Sequence, residues 1–105
     1  ATRDTYPVTK LHTLIIPKRH FASYFDMNAD EQASVHQILK HQRDEILSID
    51  PSVEAFNIGA NDGTSAGQSI FHLHIHLFPR RAGDIENPRG GVRGVIPSKQ
   101  KYNKK

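Results

Sequence analysis

The chain has 105 residues, 36% of them hydrophobic, no cysteine and a formal net charge of +3. That length supports one small domain with a modest core. No apolar run approaches the roughly 18 residues of a bilayer span and no signal-peptide pattern is visible, so a soluble, cytoplasmic protein is expected, with no membrane partner. Disulfides, thiolate metal ligands and thiol nucleophiles are excluded, which leaves His, Asp, Asn, Gln, Ser and backbone groups for any chemistry.

The charge is unevenly placed. Residues 1–79 carry 6 Lys and Arg against 9 acids, and residues 80–105 carry 8 against 2. A segment of that kind either attracts phosphates or is simply solvated. Its cations are not interleaved with aromatic rings, Tyr102 being the one aromatic there, so nucleic acid is not the expected partner.

In chain order, Arg3 to Tyr6 can end a first strand, and His12 to Pro17 is a short β-branched, apolar run closed by proline, which predicts a second. Asn28 followed by Glu31 is a capping-box pattern. Val35, Ile38, Leu39, Ile46 and Ile49 then share a helical stripe until Asp50-Pro51, which predicts an amphipathic helix over 29–49. Val53 to Gly59 is a further strand, and the turn formers from Asn61 to Gly67 lead into another, so the two are expected to pair as a hairpin. From Arg80 onward Gly83, Pro88, Gly90, Gly91, Gly94 and Pro97 interrupt any regular element. An extended basic tail over 85–105 is expected, docked through Ile85, Val92, Val95, Ile96 and Tyr102. The sum is an α+β fold, a mainly antiparallel sheet with one long amphipathic helix, residues 1–84 forming the catalytic domain.

The last strand carries the chemistry. His72, His74 and His76 occupy alternate positions, so a period of two points three imidazoles to one face and Phe71, Leu73, Ile75 and Leu77 to the other. The middle ring is expected to be flanked on both sides. A neutral imidazole whose tautomer is fixed is a nucleophile for acyl or phosphoryl centres, and neighbouring rings can orient it or move a proton. Metal binding is a second reading. The outer Cα atoms stand ~13 Å apart along a strand, so one ion would take two of these histidines plus another residue such as His12. Histidines that merely fill the polar side of a sheet are a third. Just upstream, Gly67-Gln68-Ser69 offers backbone N–H groups, an amide and a hydroxyl that can surround a phosphate, or can serve ordinary turn chemistry.

The run from Gly67 to Leu77, with His12 to His20 and Asn61-Asp62-Gly63, resembles the histidine triad (HIT) superfamily, whose signature is three histidines alternating with apolar residues. Pro79 to Asp84 is more similar to its dinucleoside polyphosphate hydrolases, the fragile histidine triad side, in a bacterial-type protein. The resemblance implies a dimeric hydrolase that cleaves a nucleotide substrate at the α-phosphate, either a dinucleoside polyphosphate or a nucleoside phosphoramidate. His74 would form the nucleotidyl-histidine intermediate, His76 would contact phosphate and leaving group, and His72 and His12 would support the row. Asn61, Gln68 and Ser69 would bind phosphate oxygens, and Asp4 the ribose hydroxyls. No protein-bound metal or cofactor is implied, although Mg²⁺ can arrive with a polyphosphate substrate. A slow nucleotide-binding or sensing protein and a His-ligated metalloenzyme are the alternatives. The family has a further strand and short helix ahead of this segment, which supply part of its nucleobase pocket. Many members have Pro-x-Gly-His where this chain has Thr9-Lys10-Leu11-His12.

Overall fold

A computed structural model describes residues 1–102. Strands β1 (Thr2–Arg3), β2 (Thr13–Ile15), β3 (Val53–Gly59) and β4 (Ile75–Arg81) form one antiparallel sheet in the order β1-β2-β4-β3, and helix α1 spans Ala29–Ile49. The α+β architecture and the β3–β4 hairpin are those expected from the sequence. No helix among the described residues is long and apolar enough to cross a membrane.

Local chemistry explains where α1 starts. The Asn28 side chain accepts the Glu31 N–H at 2.8 Å, and Glu31 accepts the Asn28 N–H at 2.9 Å, so two otherwise unpaired donors are satisfied reciprocally. Arg19 donates to both Glu31 oxygens and fixes that carboxylate. The helix lays Ile46, with no exposed surface, into a core shared with Ile15, Phe21, Met27, Val53, Leu73, Ile75 and Leu77, while Val35, Ile38 and Leu39 pack at its edge. Ile49 departs from the predicted stripe: it is 57% exposed in the last turn of the helix. Arg3 fastens β1 to the helix by donating to Gln42 and Glu45.

β4 is the central strand, and its alternation sorts two faces. Ile75 and Leu77 point into the core under α1. His76, paired across from Leu14 and Gly59, and Phe78, paired across from Asn57, lie on the opposite face. Beyond Leu77 the strand has a neighbour only on the β3 side, so Pro79 is tolerated there despite its missing N–H.

Several expectations need correction. Regular strand begins only at Ile75, so His72 and His74 lie ahead of it. The reason is register: Ile15, the last residue of β2, pairs with Ile75, and Gly59, the last of β3, pairs with His76, which leaves nothing upstream to extend the ladder. Leu73 is still buried, held by its N–H to the Phe21 carbonyl at 2.7 Å, whereas Phe71 is 52% exposed and no part of the core. β1 and β2 are also shorter than the predicted runs.

The tail is not extended. It folds into two 3₁₀ turns, Gly91–Val95 and Pro97–Lys99. Gly90 sits at a φ of 89°, and a Cβ there would collide with the Gln100 carbonyl, so the turn depends on glycine. Arg93 donates to the Lys99 and Gln100 carbonyls, and Arg89 and Arg93 both face the Tyr102 ring at 5.0 Å. The predicted anchors Ile85, Val92, Val95, Ile96 and Tyr102 stay 46 to 81% exposed, while the first of these turns lies against β3, with Gly91 beside the Asn57 side chain. The end of the predicted tail, 103–105, lies outside the described residues.

Candidate active site

His12 enters the site from an unusual turn. Leu11 immediately before it has a φ of +72°, a left-handed conformation that costs a side-chain-bearing residue roughly 1–2 kcal/mol. Glycine would adopt it freely. The turn is held by the His12 N–H to the Thr9 carbonyl and by the Thr13 hydroxyl to the Leu11 carbonyl. It delivers an imidazole that is 2% exposed.

The hydrogen bonds around that ring decide its tautomer. The Val8 N–H donates to His12 Nδ1 at 3.2 Å, so Nδ1 is an acceptor and the proton of the neutral ring is on Nε2. Nε2–H then donates to His76 Nδ1 at 2.9 Å, with the Asp4 Oδ2 atom 3.5 Å away. His76 in turn carries its single proton on Nε2. Burial holds both rings below the ordinary histidine pKa of 6.5, the neighbouring rings lower His76 further, and Asp4 opposes the effect on each. Both are therefore neutral at pH 7. The His76 ring stacks on Phe78 at 5.2 Å with 7° between the planes, and His12 sits 4.4 Å from the same phenyl ring.

His74 has the opposite tautomer. Its Nδ1–H donates to the His72 carbonyl at 3.0 Å, and a carbonyl only accepts, so Nε2 keeps a free lone pair. The ring lies edge-on to His76 at 5.1 Å. The expected row with the middle ring flanked on both sides is thus half right. The His72 ring turns away, donates from Nε2 to the Pro17 carbonyl at 2.9 Å and meets His20 with 3.2 Å between their Nδ1 atoms. It is the carbonyl of His72, and not its ring, that orients His74.

The loop before the triad is built around Gln68. Its Oε1 accepts the Gly63 N–H at 2.8 Å and its Nε2 donates to the Ala22 and Ile70 carbonyls, so the whole amide of this 5% exposed side chain is used to hold the loop. Gln68 was expected to bind phosphate oxygens; in this structure its amide braces the loop that precedes the triad. Gly67, at a φ of 97°, provides the left-handed turn that starts the segment. Ser69 is exposed beside it, and Asn61 lines the same cavity as His76. Asp4, expected to hold ribose, is turned toward His12, and its Oδ1 accepts the Tyr6 N–H.

Residues 1–83 match the HIT domain family model. The chain belongs to the HIT family. It is 36% identical to an adenylylsulfatase of Arabidopsis thaliana over 81 residues, covering 77% of this chain and 41% of that protein. Among solved structures it is similar to a zinc-bound histidine triad family protein of Mycobacterium smegmatis, with a TM-score of 0.70, 34% identity and coverage of 78% and 59% of the two chains. The diadenosine triphosphate hydrolase of Plasmodium falciparum gives a TM-score of 0.66 at 27% identity, with coverage of 80% and 56%. The chain spans 58 to 63% of the length of the first curated HIT relatives it matches.

Among the described residues Asp4, His12 and His76 bring three possible ligand atoms within 4.8 Å. A metal-bound imidazole carries its proton on the other ring nitrogen, however, and His12 Nδ1 faces an N–H donor, so this trio fits a hydrogen-bond relay better than an ion.

Phe78 and His20 are site residues that sequence reasoning missed. Phe78 continues the alternation of 72, 74 and 76 and was open to inference. His20 meets His72 only through the tertiary fold, and nothing in the spacing announces it.

Proposed function

We propose that this chain is the catalytic part of a nucleotide hydrolase that cleaves a dinucleoside polyphosphate or a nucleoside phosphoramidate at the α-phosphate. The observation that carries the reading is the pair of opposed tautomers: a free lone pair on His74 Nε2 beside a proton on His76 Nε2. That pairing sets a nucleophile next to a hydrogen-bond donor for the departing atom. The adenylylsulfatase and diadenosine triphosphate hydrolase among its relatives support the same reaction class.

His74 Nε2 attacks the α-phosphorus, and the bond to the leaving group breaks with its electron pair going to that group. A phosphate leaves as an anion accepting a hydrogen bond from His76 Nε2–H. An amine takes its proton from solvent as the P–N bond breaks, while neutral His76 hydrogen-bonds the departing nitrogen and keeps its Nε2–H, and water is the nucleophile of the second step. Attack by water or hydroxide on the nucleotidyl-histidine breaks its P–N bond, returns the pair to His74 and releases the nucleoside monophosphate. Asp4 is proposed to hold the ribose, with Asn61 and Ser69 on phosphate oxygens. No metal is needed at the reacting histidines, and Mg²⁺ would come with a polyphosphate. We further propose a homodimer through the free edge of β3, where Ile58 is 52% exposed close to the exposed Phe25.

The test is steady-state kinetics of His74→Ala on diadenosine polyphosphates and adenosine phosphoramidate. A loss of kcat by about 10³-fold or more is expected, with affinity for AMP changed less than about tenfold, because the covalent route is removed and few ground-state contacts are. Retained turnover would reject His74 as nucleophile.

A further inference from the structure

The alternation that brings His76 to the site continues one step further. Phe78 follows it on the same face of β4, opposite the core residues Ile75 and Leu77, and is no part of the buried cluster. A phenyl ring on that face does not fill the core, so it needs another account. Its neighbours supply one: the ring lies parallel to His76, with 7° between the planes and 5.2 Å between centroids, and meets His12 at 4.4 Å and 44°. One side chain thus touches both members of the hydrogen-bonded histidine pair.

What His76 lacks without it is a fixed plane. The bond from His12 holds a single atom of the ring, Nδ1, at 2.9 Å. The outer torsion of a histidine is broad, so one such contact leaves the ring free to tilt. His74 meets it only edge-on, at 5.1 Å, and a cavity of about 840 Å³ borders it and gives it room to swing. Offset parallel stacking on Phe78 is attractive and removes that freedom. The direction of the Nε2–H bond follows the ring plane, and a hydrogen bond weakens steeply when its donor is misaimed.

Resting on the hydrolase reading above, we propose that Phe78 is a positioning residue for the reaction, which sets the plane of His76 and so aims its Nε2–H at the departing atom. It acts through His76 and exchanges no proton or bond of its own. A misplacement of about 1 Å in a reacting constellation can cost roughly 10²-fold in rate, and an interaction that matters only in the transition state shows in kcat rather than in binding.

The experiment replaces Phe78 with leucine or methionine, which keep an apolar side chain but no plane, and with tyrosine, which keeps the plane. Steady-state kinetics on diadenosine triphosphate and adenosine phosphoramidate are paired with AMP affinity and with NMR of the imidazole nitrogens, and circular dichroism checks the fold. Phe78→Leu and Phe78→Met are expected to lose at least about tenfold in kcat with AMP affinity changed by less than about threefold. The two His76 nitrogen signals should move toward each other as the loosened ring samples both tautomers. Phe78→Tyr should recover most of the rate and the wild-type signals. Leucine matching wild type in kcat, leucine and tyrosine falling together, or a loss confined to KM would overturn the positioning role while leaving the hydrolase reading intact. A wild-type protein that turns over neither substrate would instead reject that reading, and the role of Phe78 with it.

Discussion

His12 Nε2 lies 2.9 Å from His76 Nδ1, and because a backbone N–H occupies the other side of His12, the proton between the two rings belongs to His12. His12→Ala leaves His76 free to change tautomer and to lose its Nε2 proton to Nδ1. A fall in kcat of about 10²-fold is expected, the usual size of a lost positioned proton donor. Removing a buried ring also leaves a cavity, so thermal unfolding should be measured on the same sample.

The same geometry fixes a pH response. His12 and His76 titrate below 6.5 in the folded protein, chiefly because they are buried. Between the folded and unfolded pKa values the unfolded chain binds more protons, so their contribution to stability is present above about pH 6.5 and lost as pH falls through the folded values. The part of the acid limb of kcat/KM that these two rings set should accordingly lie below 6.5. Asp4→Asn removes a carboxylate that raises both rings, and the limb should move further toward acid; NMR titration of the imidazole nitrogens reads this directly. A shift toward neutral pH would contradict the assigned role of Asp4.

Far from the site, Asp50 closes α1 and accepts from Arg81 and from Ser52. The Ser52 and Arg81 hydrogen bonds pull its pKa from 3.8 to about 2. The depressed value means stabilisation that is complete above pH 4 and disappears as pH falls toward 2. Denaturant midpoints of wild type and Asp50→Asn should differ at pH 6 and converge near pH 2.

Helix α1 was legible from end to end because its signals are local: a capping box at one end, Asp50-Pro51 at the other and an apolar stripe between. The faces of the triad were legible for the same reason, since Leu73, Ile75 and Leu77 are buried and the histidines are not fully so. What the sequence could not show is which partner each ring meets. The separation of His72 from His74 depends on where β2 and β3 end, and the use of Gln68 as a loop brace depends on the Ala22 carbonyl 46 positions away. Glycines and prolines predicted an irregular tail, and its 3₁₀ turns are tied together by Arg93, which donates to the Lys99 and Gln100 carbonyls.

Leu73 tests how the non-strand half of the triad is held. It is 1% exposed between His72 and His74. Leu73→Ala should cost about 2–5 kcal/mol and lower activity beyond what unfolding explains, because the carbonyl that orients His74 is the one before it. Activity normalised to the folded fraction checks this; an unchanged value would show that the His72 carbonyl is held by other means.

The covalent role of His74 is tested most directly by acid-free quenching of the protein during turnover of an adenosine phosphoramidate, followed by peptide mass spectrometry. The account predicts an adenylyl adduct on His74 Nε2, stable to alkali, labile to acid and absent from His74→Ala. An adduct on another residue, or full turnover with none detectable at any quench time and in the alanine variant, would contradict it.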